Sequence, residues 1–510
     1  MIFYKLFRNQ EYFSYIIVLF FGLINFFFIQ DPFESFFTNY DQEFWNTYNS
    51  LLIYSGLEQE KYDEPGHISY LLFAIYLKII NFFKIIDVPT IYIINEIENI
   101  PEKVETLIFH SRLFGLVVNL ILTFITIKLF KKFDAKNLIF ITLILVTSNG
   151  FLTHTSQYRI EPMTLLLFLI SMITFINLIE SQNKTFIKLC LFNFFIILSI
   201  INKVQIIFYI PFFLLILLNY KKFNFFLKKN VQILIRNKKN LFYFFSSSFV
   251  VIFAIFLRSE QIHSSIYLTS MYLIFLLSFY SIKEIKNNEK ILYKFNISLF
   301  LSFLIIYLLV TNLTYGGKNT FWVFFKISKI RGYLGDPLLD QKYDTFLWIK
   351  DFIIFSFKNF LYLFLEILKF KANNLILFLV IFLTIFSREI KRYLRLNIFI
   401  GVYLLTKFIT LFRANMFYYE IYFDWLILLG LIIFFNNFKL KTKFINFFFI
   451  IIILTNLFTN FNQKNLSLIN SGSYNVENYC SEKQIYAEMG VWSYYSERIS
   501  KKQILSLCGL

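Results

Sequence analysis

Two acidic runs lie in the first polar stretch of the chain, Tyr40-Asp41-Gln42-Glu43-Phe44-Trp45 and Tyr62-Asp63-Glu64-Pro65-Gly66-His67. A carboxylate held within reach of a hydroxyl can take its proton, a service that typically contributes about 10²–10⁴-fold. Asp41, held near the membrane surface by the first span, and Glu43, Asp63, Glu64 and His67 are the candidate chemical groups of this stretch. Pro65 and Gly66 end any preceding helix and start another, which leaves His67 at a helix N-terminus among unpaired amides. These motifs fix no cofactor, with a divalent metal the one candidate. Asp41, Asp63, Glu64 and His67 are the donor set that suits a divalent metal, since carboxylate and imidazole serve several such ions. The competing reading of each acid is a solvated charge or a helix cap.

Cations with a complementary chemistry occur further on. Arg159 stands two residues before Glu161 in QYRIEPM, Lys203 follows Asn202 in INKVQ, and Arg413 opens FRANMFYYEIYFDW. Arginine can grip phosphate oxygens with two parallel hydrogen bonds, and fixed cations stabilise a departing phosphate. With Glu161 and the acidic first loop, Arg159, Lys203 and Arg413 make an outward-facing polar layer. An ion pair at a helix end is the structural alternative for Arg159 and Glu161. Gly316-Gly317-Lys318 lacks the spacing that cradles a nucleotide. His110, His154 and His263 read as structural.

These groups must be positioned by membrane-spanning helices. Of the 510 residues, 57% are hydrophobic and only 16% charged, against about 45–50% and 25% in ordinary globular chains. The apolar residues fall in blocks of about 16–22, the length a helix needs to cross hydrocarbon. The net charge of +18 sits in short loops between those blocks, where it orients helices instead of binding nucleic acid. Lys5 and Arg8 place the N-terminus in the cytoplasm, and the acid-rich residues 31–66 then lie outside. Basic loops at Lys128–Lys136, Lys221–Lys239, Lys283–Lys290, Arg388–Arg395 and Lys439–Lys443 are assigned inside.

The expected architecture is an all-α polytopic membrane protein of about thirteen spans. They fall near 12–30, 106–127, 137–154, 162–180, 186–201, 204–219, 241–257, 266–283, 291–312, 374–387, 396–412, 421–437 and 443–459. Residues 67–83 and 351–370 are assigned to helices on the outer membrane surface; the alternative is that both cross. Residues 1–459 then form the transmembrane domain, with outer loops at 31–105 and 313–373, and 460–510 form an extracytoplasmic C-terminal segment. Cys480 and Cys508 fall in that segment, where oxidising conditions permit a disulfide. Short loops and AT-rich codon usage point to a bacterial inner membrane, with the C-terminus periplasmic.

Four segments carry a family resemblance: NYDQEF after the first span, DEPGHISYLLFAIYLKI before a surface helix, QYRIEPMTLLLFLI opening a span, and INKVQIIFYIPFFLLIL at a later turn. Together they resemble the GT-C superfamily of glycosyltransferases, which includes protein O-mannosyltransferases and the aminoarabinose transferases of lipid A. The likeness covers about the first 220 residues, and FRANMFYYEIYFDWLILLG agrees later in the chain. It departs from the pattern at Asp41-Gln42-Glu43, where many members have adjacent acids. The resemblance implies a polyprenyl-phosphate-linked sugar donor and a lipid, polysaccharide or protein acceptor. It also implies Asp41 as base, Arg159, Lys203 and Arg413 as the cations for the donor phosphate, Glu43, Asp63, Glu64, His67 and Glu161 as substrate-binding residues with Glu161 orienting Arg159, and inversion at the anomeric carbon. A lipid-linked-sugar flippase, a surface-polysaccharide ligase and a structural membrane subunit are the rival readings. The first of these calls for broken helices or repeats through the membrane.

Overall fold

In hydrocarbon an apolar segment has only its own backbone to hydrogen-bond, so helix is the element each such run must adopt. The computed structural model describes residues 10–29, 40–59, 66–88, 100–133, 137–180, 184–203, 291–313, 420–437 and 446–459, with isolated positions between them. Every element among these is a helix. They are α1 (Gln10–Ile24), α2 (Tyr40–Tyr54), α3 (His67–Phe82), α4 (Ile100–Lys132), α5 (Leu138–Val146), α6 (Asn149–Ser156), α7 (Ile160–Glu180), α8 (Thr185–Asn202), α9 (Ile291–Leu313), α10 (Glu420–Asn437) and α11 (Asn446–Thr459).

Among the described residues, five stretches are long and apolar enough to cross a membrane: Gln10–Phe28, Thr106–Lys132, Ile160–Leu178, Thr185–Asn202 and Lys294–Asn312. The bent pair α5–α6 makes up to six. These coincide with expected spans. The expected spans at 204–219, 241–257, 266–283, 374–387 and 396–412 lie outside the described residues, apart from isolated positions, as does the C-terminal segment 460–510. α3, at 16 residues, and α11 are apolar but shorter than these five.

The segment 137–154, expected as one continuous span, is instead two helices bent by 57°. Thr147 closes α5, and the Ser148 hydroxyl caps α6 by accepting the Phe151 N–H at 3.3 Å. A short polar side chain that satisfies the first amides of a new helix is what allows the chain to turn there. α1 also departs from regularity, ending in a π-helical turn at Asn25–Ile29. Asn25 fastens that turn to α6 through bonds to Leu152 O, at 2.8 Å, and to Thr155 Oγ1.

α7 packs along α8, α8 against α9, and α4 against α7, while α1 covers α4 and α5. Helix ends sort into two sets. Lys131 pairs with Glu11, and Lys132 reaches Asn177 and Glu180, joining the end of α4 to the start of α1 and the end of α7. The start of α4, the start of α7 and the end of α8 therefore share the opposite end of the bundle. The outer faces of α1, α3 and α9 carry exposed Phe20, Phe28, Ile75, Phe82, Phe300 and Leu308 among others. A continuous apolar exterior of this kind is stable against lipid, not water.

Candidate functional site

α2 begins with a polar sequence, and its Glu43 is 1% exposed. That carboxylate is paired with Arg112 on the second turn of the apolar part of α4. Arg112 Nε donates to Oε1 at 3.1 Å and to Oε2 at 3.2 Å, and its second guanidinium nitrogen donates to Oε2 at 3.0 Å. The Tyr158 backbone N–H donates to Glu43 Oε1 at 3.1 Å. One buried side chain thus ties the first turn of α2 to α4 and to the link between α6 and α7. Asp41 lies in that same turn of α2.

Tyr158 continues the network. Its carbonyl accepts from Asn46 Nδ2 at 3.1 Å, and its hydroxyl donates to Ser69 O at 2.9 Å. Complete burial pushes the phenol pKa of Tyr158 up, keeping it a neutral donor. Gly115 makes the approach of this link possible, because a Cβ there would meet Gln157 O at 2.8 Å. Arg159 follows directly, buried, with Nε donating to Gln157 Oε1 at 3.4 Å.

Asn202, the last residue of α8, joins three helices. Its Nδ2 donates to Ile160 O at 3.1 Å and to Thr164 Oγ1 at 2.7 Å, while its Oδ1 accepts the Ser69 N–H at 2.9 Å and the Ser69 hydroxyl at 3.1 Å. Its carbonyl accepts the Gly66 N–H at 2.8 Å. Gly66 sits at φ 46°, a left-handed conformation that glycine adopts without steric cost, and so lets α3 start against the end of α8. His67 then opens α3 from a fully buried position, its Nδ1 at 2.6 Å from Gln59 Oε1. Burial lowers the His67 pKa to about 4, so the imidazole is neutral at pH 7.

Lys203, one residue beyond Asn202, forms an ion pair with Glu161 in which both side chains are buried. Arg159 and His154 also act electrostatically on that carboxylate. Glu161 Oε2 is buried with no hydrogen-bond partner among the described residues. The cluster holds three cations, Arg112, Arg159 and Lys203, against the carboxylates of Glu43 and Glu161. Among the described residues it sets cations beside a buried carboxylate oxygen, Glu161 Oε2, that has no hydrogen-bond partner, groups suited to a ligand that carries both a negative charge and a hydroxyl.

Of the residues expected from sequence to do chemistry, Glu43, His67, Arg159, Glu161 and Lys203 are brought to one end of the bundle and linked by the contacts above. Glu43 is engaged by Arg112 and a backbone amide. Asp41 is described only through its place in α2, and Asp63, Glu64 and Arg413 lie outside the described residues. Among the described residues no three His, Cys, Asp or Glu side chains gather as a metal site would require. Sequence reasoning passed over Arg112, although a lone arginine inside IFHSRLFGLVVNLILTF is a signal in itself, since a charge in an apolar span needs a partner. It also passed over Asn46, Ser69 and Tyr158, whose types carry no such signal. A scan against protein-family models gives no match, and neither curated protein sequences nor solved structures yield a similar protein.

Proposed function

We propose that this chain is a membrane glycosyltransferase of GT-C type, built on about thirteen spans. It moves a sugar from a polyprenyl-phosphate donor to a hydroxyl acceptor at the periplasmic face of a bacterial inner membrane. The observation that carries the reading is the convergence of the α2 start, Arg159, Glu161 and Lys203 on one end of the helix bundle. In this mechanism Asp41 takes the proton of the acceptor hydroxyl as its oxygen attacks the anomeric carbon. The bond from that carbon to the phosphate oxygen breaks, and the electron pair leaves with the lipid phosphate. Attack from the face opposite the leaving group inverts the anomeric centre. Arg159, Lys203 and Arg413 stabilise the charge that develops on the phosphate. Asp63, Glu64 and the open Glu161 oxygen receive hydroxyls of sugar or acceptor. Glu43, engaged by Arg112, acts as a positioning residue for the turn that bears Asp41.

The test is Asp41→Asn in the full chain, reconstituted in vesicles with a polyprenyl-phosphate sugar. Transfer is expected to fall about 10²–10⁴-fold with donor binding retained. Undiminished transfer would remove Asp41 as the base. One observation favours a second reading, a lipid-linked-sugar transporter: the 57° break between α5 and α6 is of the kind transporters place at a binding site. Movement of the donor across the same vesicles with no sugar transferred would select that reading.

A further inference from the structure

A break in a helix inside hydrocarbon frees backbone groups that no water is there to meet. In a continuous helix the Ser148 N–H would bond Ile144 O, and the Gly150 N–H would bond Val146 O. At the α5–α6 break the Ser148 N–H reaches Leu145 O instead, at 3.1 Å. Ile144 O accepts from Asn456 Nδ2 of α11 at 3.2 Å, and that amide is 3.4 Å from Thr147 Oγ1. The Gly150 N–H donates to Asp424 Oδ2 of α10 at 2.9 Å. Two buried side chains from other helices thus stand in for the two lost bonds. A carboxylate in an apolar span calls for a partner, and Asp424 finds it at the start of α6, where the helix dipole favours negative charge. Gly150 lets the two meet, because a Cβ there would lie 2.5 Å from Asp424 Oδ2 and from Ile421 Cα.

The body of α6 is held as well. Asn25 of α1's π-helical turn donates to Leu152 O at 2.8 Å, and Asn119 of α4 donates to Phe151 O at 3.1 Å. α6 leads directly into Tyr158 and Arg159. On α10, two residues before Asp424, the Tyr422 hydroxyl comes to 3.5 Å from Glu161 O. The helix that holds the break therefore also reaches the charged cluster. We infer that the α5–α6 break is a fixed elbow clasped by Asp424 and Asn456, and that Asp424 is a positioning residue for Arg159 and Glu161 in sugar transfer. The second half rests on the glycosyltransferase reading, and the first half does not. A transporter keeps the backbone of a broken helix for its ligand, whereas here two of the freed groups are already taken by neighbouring helices.

The experiment is hydrogen exchange on the full chain in vesicles, read by mass spectrometry, for the parent, Asp424→Asn and Asp424→Leu. In the parent, residues 144–152 should exchange as slowly as α8 of the same bundle. Asparagine keeps an acceptor oxygen and should leave that rate unchanged. Leucine removes it and should speed exchange at 144–152 about 10–100-fold, with α8 unaffected. Faster exchange at 144–152 than in α8 of the parent would make the break a hinge and overturn the elbow. So would an Asp424→Leu chain that exchanges like the parent. Sugar transfer in the same vesicles tests the second half. Its kcat should fall about 10²-fold in Asp424→Leu and stay within about threefold of the parent in Asp424→Asn. An unchanged kcat in a loosened Asp424→Leu chain would overturn the positioning role. If the parent transfers no sugar, that role falls with the glycosyltransferase reading, and the exchange rates still decide the elbow. Should Asp424→Leu not fold, Asn456→Leu opens the other clasp and is read in the same way.

Discussion

Replacing Lys203 by Met strips the Glu161 carboxylate of its ion-pair partner at a position where the two side chains are 1% and 0% exposed. Removing one member of a buried pair costs about 3–5 kcal/mol, because the remaining charge is left without compensation. Arg159 acts on the same carboxylate, which puts the expected loss at the lower end, about 3 kcal/mol, or roughly a hundredfold in the folded-to-unfolded ratio. Adding Glu161→Gln on that background removes the second charge, and replacing both members of a buried pair is often close to neutral. Stability should therefore return in the double variant. Activity should not. Loss of one preorganised group at a developing charge costs about 10²–10³-fold, and the neutral pair offers the donor phosphate nothing in place of the ammonium. The assay is paired: apparent unfolding midpoint in detergent, and sugar transfer in vesicles normalised to folded protein. A double variant with normal transfer would show that Lys203 serves packing alone. A single variant as stable as the parent would refute the burial argument itself.

The same logic applies at the other buried pair. Arg112→Met leaves Glu43 uncompensated and should lower stability by about 3–5 kcal/mol, with Glu43→Gln restoring most of it; equal stability of Arg112→Met and the parent would contradict the pairing. His67 supplies a pH dependence. Its pKa is about 4 in the fold against 6.5 for the free side chain, so the unfolded chain binds more protons between those values. The His67 contribution is then fully present above about pH 6.5 and is lost as pH falls towards 4, an amplitude of about 3 kcal/mol. Midpoints measured from pH 4 to 7 should slope less in His67→Asn than in the parent, and parallel slopes would refute the assignment.

The five long apolar helices among the described residues were legible because hydropathy alone selects them: an apolar run of 18 or more residues has one stable state in lipid. The start of α3 was legible too, since Pro65-Gly66 breaks any preceding helix and opens a new one. The break at Thr147-Ser148-Asn149-Gly150 was not, although each of its residues favours a turn. A hydropathy window averages across four polar positions, and one of the bonds that hold the bend comes from Asp424, 274 residues away. Arg159, Glu161 and Lys203 stood out as ionisable residues at helix ends, so their types were informative, but their partners were not. Glu161 could pair with Arg159 two residues away, yet Lys203, 42 residues on, takes its Oε1.

The part of the site that sequence hides is its neutral scaffold. Asn202 makes four side-chain hydrogen bonds that join its own helix to two others, and nothing about an asparagine before a lysine announces this. Such a residue acts through geometry: in a medium with no water to replace a lost bond, each of its four contacts fixes the relative position of α3, α7 and α8. Charges show where chemistry can occur, while uncharged hubs decide whether the charges meet. That is why a list of ionisable residues, Arg159, Glu161 and Lys203 among them, falls at one end of the bundle and still misses Arg112, which holds the Glu43 carboxylate.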